Sequence, residues 1–310
     1  GIDLGGTKIE AIALDAGGHE LFRCRIATPR GDYPATVTAV ARLVGGIESE
    51  LARRGSVGIG IPGAVSPATG RIKNANSTWL NGRPFDRDLA AALGRPVRLT
   101  NDANCFALSE AVDGAAAGAD VVFGVILGTG VGGGVVVDGR PLTGRNAIAG
   151  EWGHNPLPWP RDEERPGPPC YCGKLGCIET FLSGPGLSRD HAAAGGAKLP
   201  AERVVARAAG GDPTAAGALD RYEDRLARAL AHVINLLDPE IVVLGGGLSN
   251  VARLYQALPR RLPAYVFSDR VDTAVVAPKH GDSSGVRGAA WLGAETQPAE
   301  AGGGRPLAGP

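Results

Sequence analysis

The chain has 310 residues with 32 basic and 32 acidic side chains, about twice the usual single-domain length, so two packed halves with a cleft between them are expected. A net charge of zero provides no long-range field to gather nucleic acid or an anionic membrane, and neither is an expected partner. With 48 glycines, 23 prolines and 44% hydrophobic residues, the chain reads as globular but loop-rich. The longest uncharged run, 121–137, approaches membrane-spanning length, but six of its 17 residues are glycine, which suits turns rather than a bilayer helix. No charged leader followed by an apolar stretch opens the chain, so a cytoplasmic protein is expected. No methionine occurs, so the initiator is expected ahead of Gly1.

In chain order, 1–14 reads as a strand, the Gly5-Gly6 turn and a second strand, ending in Asp15-Ala16-Gly17-Gly18. An amphipathic helix is predicted over 35–53 from the stripe Val37, Val40, Val44, Ile47 and Leu51, and another over 102–117. The opening grammar returns at 121–139, where two apolar runs flank Gly128-Thr129-Gly130-Val131-Gly132-Gly133-Gly134, and an internal duplication is the economical reading. The polar, proline-rich 156–169 is expected to be a surface loop. A long helix over 212–237 precedes a third apolar run, 241–244, which ends at Gly245-Gly246-Gly247 before a helical pattern from Asn250. Strands and helices alternate, so the class is α/β. The glycine- and proline-rich 295–310 is expected to be disordered.

Three glycine turns could surround a triphosphate, because backbone N–H groups approach a phosphate where no Cβ intervenes. Each alone is more often a tight turn. At the first, Asp3 offers a carboxylate for Mg²⁺, and Thr7 and Lys8 offer a hydroxyl and a cation for phosphate oxygens. A dinucleotide fold is excluded, since the run from Gly128 to Gly133 is followed by valines and not by a helix. Cys170, Cys172 and Cys177 put three thiols on one glycine-bent loop. With His154, the nearest histidine, they make a Cys₃His set suited to a closed structural Zn²⁺ site; redox chemistry is the weaker alternative. His191 and His19 sit in polar turns, and Cys24 and Cys105 read as small buried hydrophobes. Asp102 reads either as a helix N-cap or as an acid-base group. Glu151 and Glu179 flank the proposed zinc ligands, where the metal would hold both carboxylates in place to accept hydrogen bonds from a polyol. The segment 73–82, rich in amide side chains, has the composition of a sugar contact surface.

Together these motifs resemble the ROK family of bacterial sugar kinases and repressors, over nearly the whole chain. Asp3-Leu4-Gly5-Gly6-Thr7-Lys8 and 128–134 look like its phosphate motifs, and 244–247 looks like its adenosine-side turn. Gly150-Glu151-Trp152-Gly153-His154 and 170–179 look like its sugar and zinc motifs. The resemblance implies a duplicated actin/hexokinase-like (ribonuclease H-like) fold. Its small lobe would span 1–117 with about 282–293, its large lobe 118–281 with the zinc loop, and a disordered tail 294–310. It makes Asp102 the general base and Asn76, Asn101, Glu151, His154 and Glu179 sugar contacts, with His154 also on zinc. ATP would be held by Asp3, Gly5, Gly6, Thr7, Lys8, Gly128, Thr129, Gly130, Gly132, Gly133, Gly245, Gly246 and Gly247. Segments 61–63, 73–82 and 155–159 are most similar to the fructokinase branch. The expected reaction is therefore ATP-dependent phosphorylation of fructose at its 6-hydroxyl, with glucose, mannose and N-acetylglucosamine as alternatives. N-acetylglucosamine is expected to be the poorest, because its acetamide needs volume near Glu151. A sugar-responsive repressor is the alternative of another class; zero net charge and the intact Asp3 and Asp102 favour the kinase. Assembly, a homodimer included, stays open.

Overall fold

A computed structural model of the chain describes residues 1–294; the predicted tail lies outside the described residues except for Ala294, which closes the last helix. The chain opens with an antiparallel meander of β1 (Ile2–Leu4), β2 (Lys8–Leu14) and β3 (Glu20–Ala27). Helix α1 (Tyr33–Leu51) crosses to β4 (Gly58–Ile61), parallel to β1. A two-residue hairpin, β5 (Ala64–Val65) and β6 (Ile72–Lys73), and α2 (Phe85–Leu93) precede β7 (Arg98–Asn101), which completes a sheet of order β3-β2-β1-β4-β7.

Helix α3 (Asp102–Val112) leads to a second sheet that repeats the first. Strands β8 (Val121–Leu127), β9 (Val131–Val137) and β10 (Arg140–Pro141) form its meander. Helices α4 (Ile178–Leu182), α5 (Gly184–Ala193), α6 (Ala201–Ala209) and α7 (Pro213–Leu237) lead to β11 (Ile241–Gly245), parallel to β8. After α8 (Arg253–Arg261), β12 (Ala274–Val276) completes the order β10-β9-β8-β11-β12, and α9 (Ser284–Ala294) returns to pack on α3, β4, β2 and β1. Order and strand sense match between the sheets, as the repeated glycine-turn grammar predicts. Strands β4 and β8 are apolar without alternation because parallel strands with both faces covered have no solvent side.

Helix α3 is buried on nearly every side and shares a cluster of Phe106, Leu108, Val122, Val136, Val243 and Leu292 with the second sheet and α9. A Cβ on Gly288 would lie 1.7 Å from the Cys105 carbonyl oxygen, so the α3–α9 crossing requires a glycine there. Helix α3 stops at Val112, short of the expected 117, because the turn at 113–118 folds back on it. The Glu110 carboxylate there accepts the Ala115 N–H at 2.8 Å, the Lys279 N–H at 2.9 Å and the Ser284 hydroxyl at 2.7 Å. The helix predicted at 102–117 therefore gives up its last turn to a junction between the halves.

The segment 156–169 departs from the expected surface loop. Leu157 and Glu164 are buried, and 156 and 169 form bridges to Cys177 and Leu175. Glu164 accepts from Arg225 Nε at 2.7 Å and from Arg228 Nη2 at 2.8 Å, and both arginines are buried on α7. Burial works against its charge, but the hydrogen bonds from Arg228 and Arg225 outweigh it and hold the carboxyl at about 2. Trp159 stacks on Tyr265 with ring centroids 6.0 Å apart. Glu164→Ala, which leaves Arg225 its ion pair with Asp190 and Arg228 its ion pair with Asp224, is expected to lower stability by about 1.5–3 kcal/mol, the scale of lost charge-assisted hydrogen bonds, in a urea titration. The wild-type contribution should persist above the ordinary glutamate pKa and be lost as pH falls toward 2; a variant within experimental error of wild type at pH 7 would refute it. His191, expected in a polar turn, is buried in α5 with Nδ1 3.1 Å from the Ala197 carbonyl, and Cys24 is only half-buried.

Candidate functional site

The C-terminal ends of the parallel strands β1, β4, β7, β8 and β11 face one cleft, where α/β sheets place their ligands. A cavity of about 480 Å³ there is lined by Asp3, Gly5, Gly6, Thr7, Asn76, Asp102 and Gly246, among others. The first glycine turn closes through the Gly5 N–H donating to the Lys8 carbonyl at 3.0 Å. A second cavity, of about 640 Å³, begins where Gly246 gives way to Gly247 and includes Gly128, Thr129, Gly184, Ser188, Glu202 and Asn250. The side chains from α5 and α6 carry no motif spacing, and only the folding of these helices beside the turns brings them in.

Five of the predicted phosphate-site residues line neither cavity. Lys8 opens β2 with an exposed side chain, and its charge acts on Asp3. A Cβ on Gly132 would meet Ala103 at 3.4 Å, one on Gly133 the Trp152 ring at 2.8 Å, and one on Gly245 the Phe106 ring at 2.5 Å. These three glycines admit close neighbours within the protein. Gly130 faces the carboxylate of Glu179, whose Oε2 accepts the Val131 N–H at 2.9 Å. Glu179, predicted on the sugar side, is thus tied to the second glycine turn.

Asn101, at the end of β7, is the N-cap of α3, accepting the Ala103 N–H at 2.8 Å. Asp102 follows as the first helical residue and accepts the same N–H, also at 2.8 Å. Asp102 meets solvent at the cleft surface, yet it lies deep between the halves. Desolvation there, then repulsion from Asp3, pushes its pKa up to about 6. Asp3 is likewise raised to about 6, by burial and then by Glu10. Two carboxylates raised by burial and by neighbouring negative charge suit proton transfer near neutrality and welcome a cation.

Glu151 leads into a single helical turn, 152–154, fixed by Trp152, whose Nε1–H donates to the Gly132 carbonyl at 2.9 Å. His154 Nδ1 lies 3.5 Å from Cys170 Sγ, and Cys172 Sγ lies 3.6 Å from Cys177 Sγ. All four ligand atoms fall within 4.8 Å of one another. Bond lengths of about 2.3 Å to sulfur and 2.0–2.1 Å to nitrogen predict tetrahedral edges of about 3.5–3.8 Å. The donor set and spacing therefore fit Zn²⁺. Burial and the neighbouring sulfurs push the Cys177 thiol up, so three thiolates here call for a cation. The other ring nitrogen, His154 Nε2, is 2.9 Å from the Tyr171 hydroxyl.

The model of the ROK family matches residues 1–296. The chain belongs to the ROK family. A Pectobacterium atrosepticum N-acetyl-D-glucosamine kinase is 42% identical over 94% of this chain and 97% of its own length. An Erwinia tasmaniensis N-acetyl-D-glucosamine kinase is 43% identical over 94% and 98%. Among solved structures, the ROK hexokinase of Thermus thermophilus superposes with a TM-score of 0.84 at 33% identity, covering 95% of this chain and 97% of that one. The ROK glucokinase of Streptomyces griseus, solved with glucose and AMPPNP, gives 0.75 at 28% identity, covering 95% and 98%. The fold of this ROK chain is thus the duplicated actin/hexokinase-like α/β fold. Among its described residues, no helix is long and apolar enough to cross a membrane.

Proposed function

We propose that this ATP-dependent sugar kinase of the ROK family phosphorylates the primary hydroxyl of N-acetylglucosamine. The observation that carries the sugar is the near full-length identity, above 40%, to N-acetyl-D-glucosamine kinases. It replaces the fructose expectation, which rests on three short segments and has no counterpart among these relatives. Asp102 takes the proton of the attacking hydroxyl, and its raised pKa of about 6 suits a base working near neutral pH. Asn76, Asn101, Glu151, His154 and Glu179 hold the remaining hydroxyls. ATP lies along the two cavities, its phosphates at the first two glycine turns and its nucleoside between 128–129 and 247–250. Mg²⁺, held at Asp3, would neutralise the phosphate charge. Zn²⁺ on His154, Cys170, Cys172 and Cys177 is structural. The lobes, 1–117 with about 282–293 and 118–281, close on the substrates and exclude water in a cytoplasmic enzyme.

The test is ADP release across N-acetylglucosamine, glucose, mannose and fructose. N-acetylglucosamine is expected to give the highest kcat/KM, by at least about tenfold, the scale of a site built around a substrate's polar group. Fructose ahead of it would restore the fructokinase reading. Absence of any sugar-dependent turnover would remove the kinase reading altogether.

A further inference from the structure

We infer that a small cavity beside the cleft is the receptacle for the acetamide group of a 2-acetamido sugar, an inference that rests on the N-acetylglucosamine reading above. The cavity, of about 70 Å³, lies between the β5–β6 hairpin, the start of α3 and the 143–149 loop. Asn101 and Glu151, both proposed hydroxyl contacts, line it, so it shares a wall with the sugar site. The volume that the sequence alone does not provide for an acetamide near Glu151 is therefore present.

Its lining has the chemistry of an amide receptor. Asn104 is 6% exposed and donates from Nδ2 to Thr100 Oγ1 at 3.2 Å, while its Oδ1 is buried with no hydrogen-bond partner. A buried unpaired acceptor carries a desolvation cost that an incoming N–H donor relieves. With the side-chain amide turned over, the orphan becomes an N–H, which suits the acetamide carbonyl, so either orientation leaves one place for an amide. Ala64, Val65 and Ile148 supply an apolar face for the methyl group. A sugar with a plain 2-hydroxyl reaches less far and leaves this polar atom unpaired, which is how a site rejects an analogue lacking the group it was built to bind.

The experiment compares kcat/KM for N-acetylglucosamine and glucose in the full chain, in Asn104→Ala and in Ala64→Ile. Wild type is expected to prefer N-acetylglucosamine, and each variant should lower the ratio of the two kcat/KM values at least tenfold, the first by removing the amide partner and the second by filling the volume. Ala64→Ile sits in a half-buried two-residue strand and carries the test should Asn104→Ala not fold. A wild-type preference with an unchanged ratio in Ala64→Ile overturns the cavity assignment and leaves the sugar reading standing. No wild-type preference for N-acetylglucosamine overturns both.

Discussion

Asp102→Asn is expected to lower turnover by about 10²- to 10⁴-fold, the range for loss of a positioned general base, while the protein folds and binds sugar. The separation is available because Asn101, not Asp102, caps α3, so the helix keeps its first hydrogen bond. The asparagine Oδ1 can still accept the Ala103 N–H that Asp102 accepts. What the variant lacks is a carboxylate to receive the proton. The pH dependence follows from the same geometry. Burial raises both carboxyls to about 6, helped by Asp3 at Asp102 and by Glu10 at Asp3, so kcat/KM should be full above that value and fall as pH drops through it. The acid limb belongs to the pair and not to either residue alone. Steady-state ADP release at saturating and limiting sugar, with tryptophan fluorescence for binding, checks both statements. Near-normal turnover in the purified variant would take Asp102 out of the mechanism.

The duplication was readable because each half begins with the same physical device, two apolar strands joined by glycines. Its outcome in the structure is two sheets with identical strand order. The cluster of His154, Cys170, Cys172 and Cys177 was readable because three cysteines within eight residues have few geometries open to them, and the fourth donor lies one loop away. Four features were hidden for different reasons. A glycine within a motif looks the same whether it admits a phosphate or a neighbouring ring, and only the positions of Trp152, Ala103 and Phe106 assign Gly133, Gly132 and Gly245 to packing. The loop at 156–169 has the composition of a solvated segment, yet Glu164 pairs with arginines more than 60 residues away, which no local pattern encodes. The sugar preference is the least legible part: three short segments pointed to fructose, whereas the curated relatives at 42–43% identity are N-acetyl-D-glucosamine kinases. The cavity at Asn104 forms only where the hairpin, α3 and the 143–149 loop meet.

Loss of the metal is expected to damage both ends of the site at once. Cys177 is the residue from which α4 starts, and α4 carries Glu179. The Glu179 carboxylate receives the Val131 N–H at the second glycine turn. His154 continues the turn that begins at Glu151. A Zn²⁺ ion on His154, Cys170, Cys172 and Cys177 would therefore fix one sugar-side carboxylate from each direction and, through Glu179, the backbone of a phosphate turn. Elemental analysis should find one zinc per chain. Cys177→Ser, which nearly preserves side-chain volume, should release it, lower the melting temperature and reduce kcat/KM by about 10- to 100-fold, the scale seen when the support of a metal site is removed. KM should change for ATP as well as for sugar, because the Glu179 link reaches the glycine turn. A metal-free protein with full activity and an unchanged melting temperature would sink this assignment. A KM effect confined to sugar would break the link from Cys177 through Glu179 to Val131, leaving the metal to act only through His154 and Glu151.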